Sequence, residues 1–293
     1  MNRSWPIWRS MLFVPAHVEK FVAAAHTRGA DAYILDLEDS VPPAEKATAR
    51  DSLARSAARV AQSGAAVLVR VNGDTALLGD DLQASVVPGV RALMLPKIGS
   101  GDDVRAIDAQ IGEIEGQRGL PPGHTLLIAQ IEHVSTLPRL DEIAASSTRL
   151  MGMILGSEDF SVSAGMEPTL EALYAPNQQM LFACRRAGIL PFGFPGSIGV
   201  FRDVEQLRLL IRRAREMGFV GSYAIHPNQV TVMNELFLPA AEEVEHAREL
   251  LAGWDTALAQ GRGAFEFRGR MVDPPVVARA QEVLRRFTAA ARS

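Results

Sequence analysis

Eight short apolar runs, each ending in a polar or charged residue, alternate with stretches of helical spacing between residues 10 and 227. The runs cover residues 10–14, 32–39, 66–72, 92–97, 126–132, 150–159, 189–193 and 222–227. Strands that alternate with helices pair in parallel through right-handed crossovers, and eight such units close most simply into a barrel. The pattern therefore predicts an α/β fold, a (β/α)8 TIM barrel.

The segments between the runs have the spacing of amphipathic helices. Val104, Ile107, Ile111 and Ile114, for example, recur three to four residues apart and form one apolar stripe. With 293 residues and 47% hydrophobic content, the chain is long enough to bury one large core. We expect one structural domain.

A further segment follows the last run. It has the pattern of a long helix, a hairpin over residues 264–272, and a last helix opened by Asp273 and Pro274, a favourable cap and first-turn pair. We assign the barrel to residues 1–238 and a C-terminal helix-hairpin-helix appendage to residues 239–293. Such an appendage packs on the barrel or on a neighbouring subunit.

Composition narrows the class of protein. The net charge of −4 argues against nucleic-acid binding, since no excess of Lys and Arg is available to neutralise phosphates. No run approaches the ~20 apolar residues that span a bilayer, and no leader-like segment opens the chain. Cys184 is the single cysteine, so no disulfide forms within the chain. We expect a soluble, cytoplasmic protein.

Strand parity predicts which polar side chains face the barrel axis, because successive residues of a strand point to opposite faces. Asp36 and Glu38 share a face with Ile34, Arg70 shares one with Leu68, and Glu132 shares one with Gln130. In such barrels the active site lies at the C-terminal ends of the strands. The predicted mouth therefore collects Asp36, Glu38, Arg70, Asn72, Lys97, Glu132 and Asp159.

Glu132 and Asp159, which we expect on adjacent strands, are the pair of carboxylates that most directly indicates a metal site. Oxygen ligands suit a hard cation, and Mg²⁺ commonly takes one or two carboxylates together with water and substrate oxygens. The alternative is a structural network in which both carboxylates pair with Arg70 and Lys97, and spacing alone leaves the two interpretations open. No histidine has zinc-ligand spacing, and no G-x-S-x-G, P-loop or G-x-G-x-x-G motif is present.

Seven segments, in order, resemble the signatures of the citrate lyase β-subunit-like branch of the HpcH/HpaI aldolase superfamily, to which malyl-CoA and citramalyl-CoA lyases belong. They cover residues 9–15, 29–41, 70–72, 95–97, 131–132, 155–159 and 221–229. The likeness extends into the tail at residues 263–265 and 271–274.

The resemblance implies a Mg²⁺-dependent lyase, with Mn²⁺ as an alternative, that cleaves a malyl-, citramalyl- or citryl-like 3-hydroxyacyl-CoA thioester to an acyl-CoA and a 2-oxoacid. By that resemblance Glu132 and Asp159 are the metal ligands and Arg70 contacts the reacting carbonyl. Asp273 is the acid/base that completes a neighbour's site in a homo-oligomer, a trimer or hexamer. Asp36, Glu38, Asn72 and Lys97 then orient ligands or bind substrate.

The chain departs from the family pattern near the seventh strand. Residues 192–199 are apolar and glycine-rich where the family has an acidic and aromatic segment, so we expect an apolar substituent on the 2-oxoacid, such as that of pyruvate. Two other functions remain open. One is a thioester hydrolase on the same scaffold; the other is a β-subunit that works only in an acyl-carrier-protein-dependent citrate lyase complex, or a binding protein that has lost turnover.

Overall fold

The computed structural model describes residues 5–290, in which eight parallel strands follow one another around a ring. The strands are β1 Ser10–Pro15, β2 Ala32–Asp36, β3 Ala66–Arg70, β4 Ala92–Leu95, β5 Leu126–Ile131, β6 Leu150–Leu155, β7 Leu190–Phe192 and β8 Ser222–Ala224. Each strand from β2 to β7 pairs with the strand before it in sequence, and β1 also pairs with β8. The backbone N–H groups of Val220 and Gly193 donate to the carbonyls of Pro191 and Gly221, at 3.2 and 2.9 Å, and bring the last two strands together. The predicted TIM barrel is confirmed.

Helices cover the outside of the barrel and also form most of the C-terminal segment. They are α1 Glu19–Ala25, α2 Lys46–Val60, α3 Thr75–Ser85, α4 Gly101–Arg118, α5 Leu140–Ala144, α6 Ser157–Ala164, α7 Leu170–Ala187, α8 Val204–Met217, α9 Pro227–Leu236, α10 Ala241–Ala259 and α11 Pro274–Ala290. Short 3-10 segments lie at Pro43–Glu45, Ala61–Ser63 and Val134–Arg139. The predicted stripe of α4 is buried at all four positions.

The apolar core has two layers, as strand parity requires. Ile34, Leu68 and Ile128 point into the barrel, where they pack with Met94 and Phe192. The alternate residues of the same strands pack outward against the helices. Within residues 5–290 no helix combines the length and apolar composition that crossing a membrane requires.

The C-terminal segment has the predicted helix-hairpin-helix form. After α10, β9 Phe265–Phe267 and β10 Arg270–Val272 form an antiparallel hairpin, and α11 follows. Leu250, Val272 and Val277 form a small apolar cluster among these elements. The division of the chain at residue 238 stays a prediction.

Candidate active site

A buried ion pair joins the C-terminal ends of β2 and β3. The Arg70 guanidinium donates to both carboxylate oxygens of Asp36, from Nε at 2.7 Å and from Nη2 at 2.7 Å, and its Cζ lies over the Phe13 ring, 4.8 Å from the ring centre. Burial alone would raise the pKa of Asp36, but the Arg70 guanidinium outweighs that effect and holds this pKa below its ordinary value. The guanidinium is therefore fixed in position.

Glu38 and Lys97 extend this network towards β5. Lys97 Nζ lies 2.8 Å from Glu38 Oε1, and Arg70 Nη1 lies 3.2 Å from Glu38 Oε2. Lys97 has a left-handed backbone (φ 55°), which is costly for a residue with a side chain. Its N–H donates to Glu132 Oε2 at 3.0 Å. Lys97 thus holds two carboxylates, one through its side chain and one through its backbone.

Glu132 and Asp159 come together at the mouth, although they reach it from different elements. Glu132 follows β5 directly, whereas Asp159 lies in the first turn of α6. The pKa of Glu132 is raised to about 7, first by burial and then by the negative charges of Glu38 and Asp159. The prediction that residues 150–159 form one strand run is wrong beyond Leu155, because Gly156 and Ser157 end the strand and begin a helix.

Gly156 makes room for Glu132. A Cβ at this glycine would lie 2.7 Å from Glu132 Cγ, closer than real side chains approach, and 3.3 Å from Glu132 Oε1. Because Gly156 has an ordinary φ of −76°, the requirement is for space rather than for unusual backbone geometry. The space above Gly156 lies beside Glu132 Oε1, the carboxylate oxygen that does not accept from the Lys97 N–H.

The donor set fits a hard cation. Among residues 5–290 no group of three or more His, Cys, Asp or Glu side chains converges to hold a metal, so a cation at Glu132 and Asp159 would complete its shell with water and substrate oxygens, as Mg²⁺ commonly does. Burial, and after it the negative charges of Glu38 and Asp159, raise the pKa of Glu132. Among the described residues, the ion pairs of Arg70 and Lys97 are with Asp36, Glu38 and Asp39, not with the two carboxylates that the structural network would pair with them. The metal at Glu132 and Asp159 stays a prediction.

A cleft of about 170 Å³ opens at the mouth. The polar lining comes from Asp36, Ser40, Arg70, Gln130, Glu158 and Asp159, and the apolar lining comes from Phe13, Ile198, Tyr223 and Ile225. Ile198 is held there by Glu158, whose Oε1 accepts from Ser197 Oγ at 2.7 Å and from the Ile198 N–H at 3.0 Å. The loop after β7 thus presents an apolar wall to the cleft.

Asn72 is not part of the cleft lining. Its Nδ2 donates to Asp81 Oδ2 at 2.6 Å and to the Leu37 carbonyl at 2.9 Å, and its Oδ1 accepts from Lys46 Nζ at 2.6 Å. Lys46 Nζ also donates to the carbonyls of Leu37 and Glu38. Asn72 therefore orients the backbone that carries Glu38, and Lys46 and Asp81, which sequence reasoning missed, assist it.

Asp273 also lies outside the residues that line the cleft. It is half-buried before α11, where its Oδ1 accepts from the Val276 N–H at 3.3 Å as a helix cap. Gln130, by contrast, does line the cleft. Its inward position was predicted, but its place in the site was missed; the available signal was a polar residue on the core face of a strand.

Comparisons with known proteins agree with this architecture. The HpcH/HpaI aldolase/citrate lyase family model matches residues 9–227. The L-malyl-CoA/beta-methylmalyl-CoA lyase of Cereibacter sphaeroides is 37% identical over 294 residues, covering 92% of this chain and 90% of that protein. The citrate lyase subunit beta of Escherichia coli K12 is 36% identical over 284 residues, covering 95% of this chain and 92% of that protein.

One solved structure extends the comparison to three dimensions. The crystal structure of CitE from Mycobacterium tuberculosis in complex with magnesium, acetoacetate and coenzyme A superposes with a TM-score of 0.74 at 30% identity, covering 98% of this chain and 100% of that one. Fold and relatives together define a (β/α)8-barrel enzyme of the lyase class. The chain belongs to the HpcH/HpaI aldolase/citrate lyase family, which confirms the resemblance seen in its motifs.

Proposed function

We propose that this protein is a metal-dependent carbon–carbon lyase that cleaves a 3-hydroxyacyl-CoA thioester to an acyl-CoA and a 2-oxoacid through an enolate. The observation that carries the proposal is the placement of a fixed guanidinium, Arg70, in the same cleft as Asp159, with Glu132 beside it. The named activities of the relatives and the magnesium and coenzyme A bound in the Mycobacterium protein support the substrate class.

Glu132 and Asp159 would hold Mg²⁺, or alternatively Mn²⁺. When bound, the ion would lower the pKa of the substrate hydroxyl and polarise the carbonyl that forms from it. Lys97 keeps Glu132 in place through its backbone N–H. Glu38, held by Lys97 and Arg70, contributes to the negative potential that attracts the cation.

Arg70 stabilises the enolate. Three hydrogen bonds, two to Asp36 and one to Asp39, engage its guanidinium within the described chain. A guanidinium has five N–H groups, and Nη1 also faces Glu38 Oε2 at 3.2 Å, so one N–H of Nη2 remains to donate to the thioester oxygen as negative charge develops on it. Because the ion pair with Asp36 fixes the group beforehand, little reorganisation accompanies the reaction.

Asp273 of the partner subunit would supply the proton for the enolate carbon in cleavage and remove it in condensation. In support, Asp273 lies in the appendage and outside the cleft lining of its own chain. The proposal therefore includes a homo-oligomer, a trimer or hexamer.

A cytoplasmic location is proposed as well, supported by the single buried cysteine, Cys184.

The apolar wall favours pyruvate, formed from citramalyl-CoA, over oxaloacetate, formed from citryl-CoA. An extra carboxylate beside Ile198 and Ile225 would lose hydration without gaining a partner.

A second candidate function is that of a citrate lyase β-subunit, because of the 36% identity to the Escherichia coli protein. Turnover of CoA thioesters by the purified chain alone would reject this second candidate.

Metal removal tests the proposal. We expect exhaustive chelation to abolish cleavage and added Mg²⁺ to restore it. Without the cation, the two carboxylates cannot stabilise the negative charge that develops on the substrate oxygen. Glu132→Ala and Asp159→Ala should each lower kcat/KM roughly 100- to 10,000-fold with an unchanged circular dichroism spectrum. Glu113→Ala, an exposed carboxylate of α4, is the matched control. Full activity after chelation would rule the proposal out.

A further inference from the structure

One buried amide side chain joins the loops after β7 and β8. Gln229, in the first turn of α9, is fully buried. Its Oε1 accepts from the backbone N–H groups of Ile225 at 2.8 Å and His226 at 3.1 Å, which follow β8. Its Nε2 donates to the carbonyls of Ile198 at 2.7 Å and Val200 at 3.1 Å, which belong to the loop after β7. The amide is therefore a direct link between the two loops.

The four backbone groups around Gln229 require a primary amide. A capping box accepts either Glu or Gln at the third helical position, and His226 and Gln229 form such a box at the start of α9. A carboxylate would satisfy the two N–H groups but repel the two carbonyls, and a cationic side chain would do the reverse. The choice of Gln over Glu is thus explained by contacts outside the helix that it caps.

The two loops provide apolar lining of the cleft. Ile198 and Ile225 both line it, and each is joined to Gln229 through its own backbone. Glu158 accepts from the N–H of Ile198, so the main chain of this isoleucine is held on both sides. The spacing of the two isoleucines is therefore set where Gln229 joins their main chains.

We propose that Gln229 is a positioning residue that determines which 2-oxoacid substituent the cleft accepts, an inference that rests on the proposed lyase function. The residue does not itself line the cleft and acts through Ile198 and Ile225. By fixing these side chains relative to each other, it favours the methyl group of pyruvate over the ethyl group of 2-oxobutyrate. One methylene in an apolar pocket decides a roughly 10- to 200-fold difference in kcat/KM.

Selectivity between two 2-oxoacids tests this role. In the condensation direction with acetyl-CoA and Mg²⁺, the wild type should prefer pyruvate to 2-oxobutyrate. Gln229→Met keeps the length of the side chain but frees the two loops, so the ratio of the two kcat/KM values should fall roughly tenfold. A loss of stability alone would lower both kcat/KM values by the same factor and leave their ratio unchanged.

Gln229→Glu provides a second variant in case Gln229→Met folds poorly. It keeps the contacts to both N–H groups, and burial beside two carbonyls should raise the pKa of the new carboxyl. The protonated acid can still donate one hydrogen bond, so the selectivity ratio should fall as the pH rises from about 6 to about 9. Glu158 and His226, which contact the same loops, are unchanged, so the wild-type profile corrects for their titration.

Asn228→Asp is the matched control. It makes the same change from amide to acid one residue earlier, where the exposed side chain lies 3.5 Å from the Phe201 carbonyl. Its selectivity ratio should stay near the wild-type value at every pH. A ratio lowered at every pH in Gln229→Glu would also support the inference. A wild-type ratio at every pH in that variant, or an equal fall in Asn228→Asp, would overturn it.

Thermal stabilisation separates this inference from the proposed function, because it needs no turnover. With Mg²⁺, pyruvate should raise the wild-type melting temperature at lower concentration than 2-oxobutyrate does, and Gln229→Met should narrow that difference. An active wild type whose Gln229 variants keep the wild-type ratio would overturn the role of Gln229 and leave the lyase standing. A wild type without lyase activity whose difference narrows in the variant would support the role of Gln229 and reject the lyase.

Discussion

Gly156 decides where Glu132 lies. The main chain here has an ordinary φ of −76° that any residue can adopt, yet a single added carbon would meet Glu132 Cγ at 2.7 Å. The contact would displace the Glu132 side chain from its position beside Gly156. The missing side chain at Gly156 thus keeps this candidate metal ligand in place.

Gly156→Ala should therefore weaken metal binding more than folding. We expect the Mg²⁺ concentration for half-maximal activity to rise about tenfold or more, because a ligand is displaced. Gly116→Ala is the control: it lies in the interior of α4 with nothing within 4 Å of its Cβ position, so it should stabilise the fold by up to about 1 kcal/mol. An unchanged Mg²⁺ dependence in Gly156→Ala would contradict this account.

Single residues differ in how far the sequence predicted them. Strand parity placed Asp36, Arg70 and Glu132 correctly, because the period of two is imposed by the backbone. It did not distinguish Asn72, which is engaged by Asp81, from residues that line the cleft. Such pairings depend on side chains from other elements, and no local pattern encodes them.

Helix α6 links the metal site to the loop after β7. It begins directly after β6, and its first turn carries both Glu158 and Asp159. Asp159 lines the cleft, while Glu158 holds Ser197 and Ile198 through the hydrogen bonds described above. One turn of helix thereby fixes a candidate ligand and an apolar wall together.

Glu158→Ala should loosen the loop without unfolding the barrel. We expect amide exchange at Ile198 to accelerate about tenfold or more, because a hydrogen bond to a charged oxygen is removed. Hydrogen-exchange mass spectrometry of peptides covering residues 194–202 would measure it. Glu113→Ala should leave those peptides unchanged. Equal protection of the loop in both variants would show that Glu158 does not hold it.

At the scale of elements, the number and order of the strands were predictable, but their ends were not. Apolar spacing marks where a strand is buried, but the polar residues that follow do not show whether the strand continues or a helix begins. This is why residues 150–159 were predicted as one run. The sequence Gly156-Ser157-Glu158-Asp159, a helix breaker followed by first-turn acids, was the signal for the boundary.

At the scale of the whole molecule, one residue of the proposed chemistry, Asp273, lies outside the cleft of its own chain. Arg70 lies in the barrel mouth, whereas Asp273 caps α11 in the appendage. Alternation of strands and helices was enough to predict the barrel, since it leaves few topologies. Assembly could not be derived in this way, because contacts between subunits have no period along the chain, and the predicted oligomer rests on family resemblance.

Mixing of inactive subunits tests the shared site. Arg70→Ala and Asp273→Ala proteins should each be inactive, and after subunit exchange in equal amounts the mixture should recover about a quarter of wild-type activity, because one neighbouring pair in four combines both intact residues. Light scattering checks the oligomer, and mass spectrometry of isotope-labelled subunits checks exchange. A monomer, or no recovery despite exchange, would contradict the sharing of Asp273.

The central claim is that the cleft breaks a carbon–carbon bond, and product analysis tests it most directly. Purified protein with Mg²⁺ should convert citramalyl-CoA or malyl-CoA to acetyl-CoA and pyruvate or glyoxylate, and Arg70→Ala should lower kcat/KM by roughly 100-fold or more. Mass spectrometry distinguishes these products from those of hydrolysis. Formation of acetyl-CoA and the 2-oxoacid in equal amounts is the predicted result. Free CoA with the hydroxy-acid carbon skeleton intact would contradict the account and identify a thioester hydrolase.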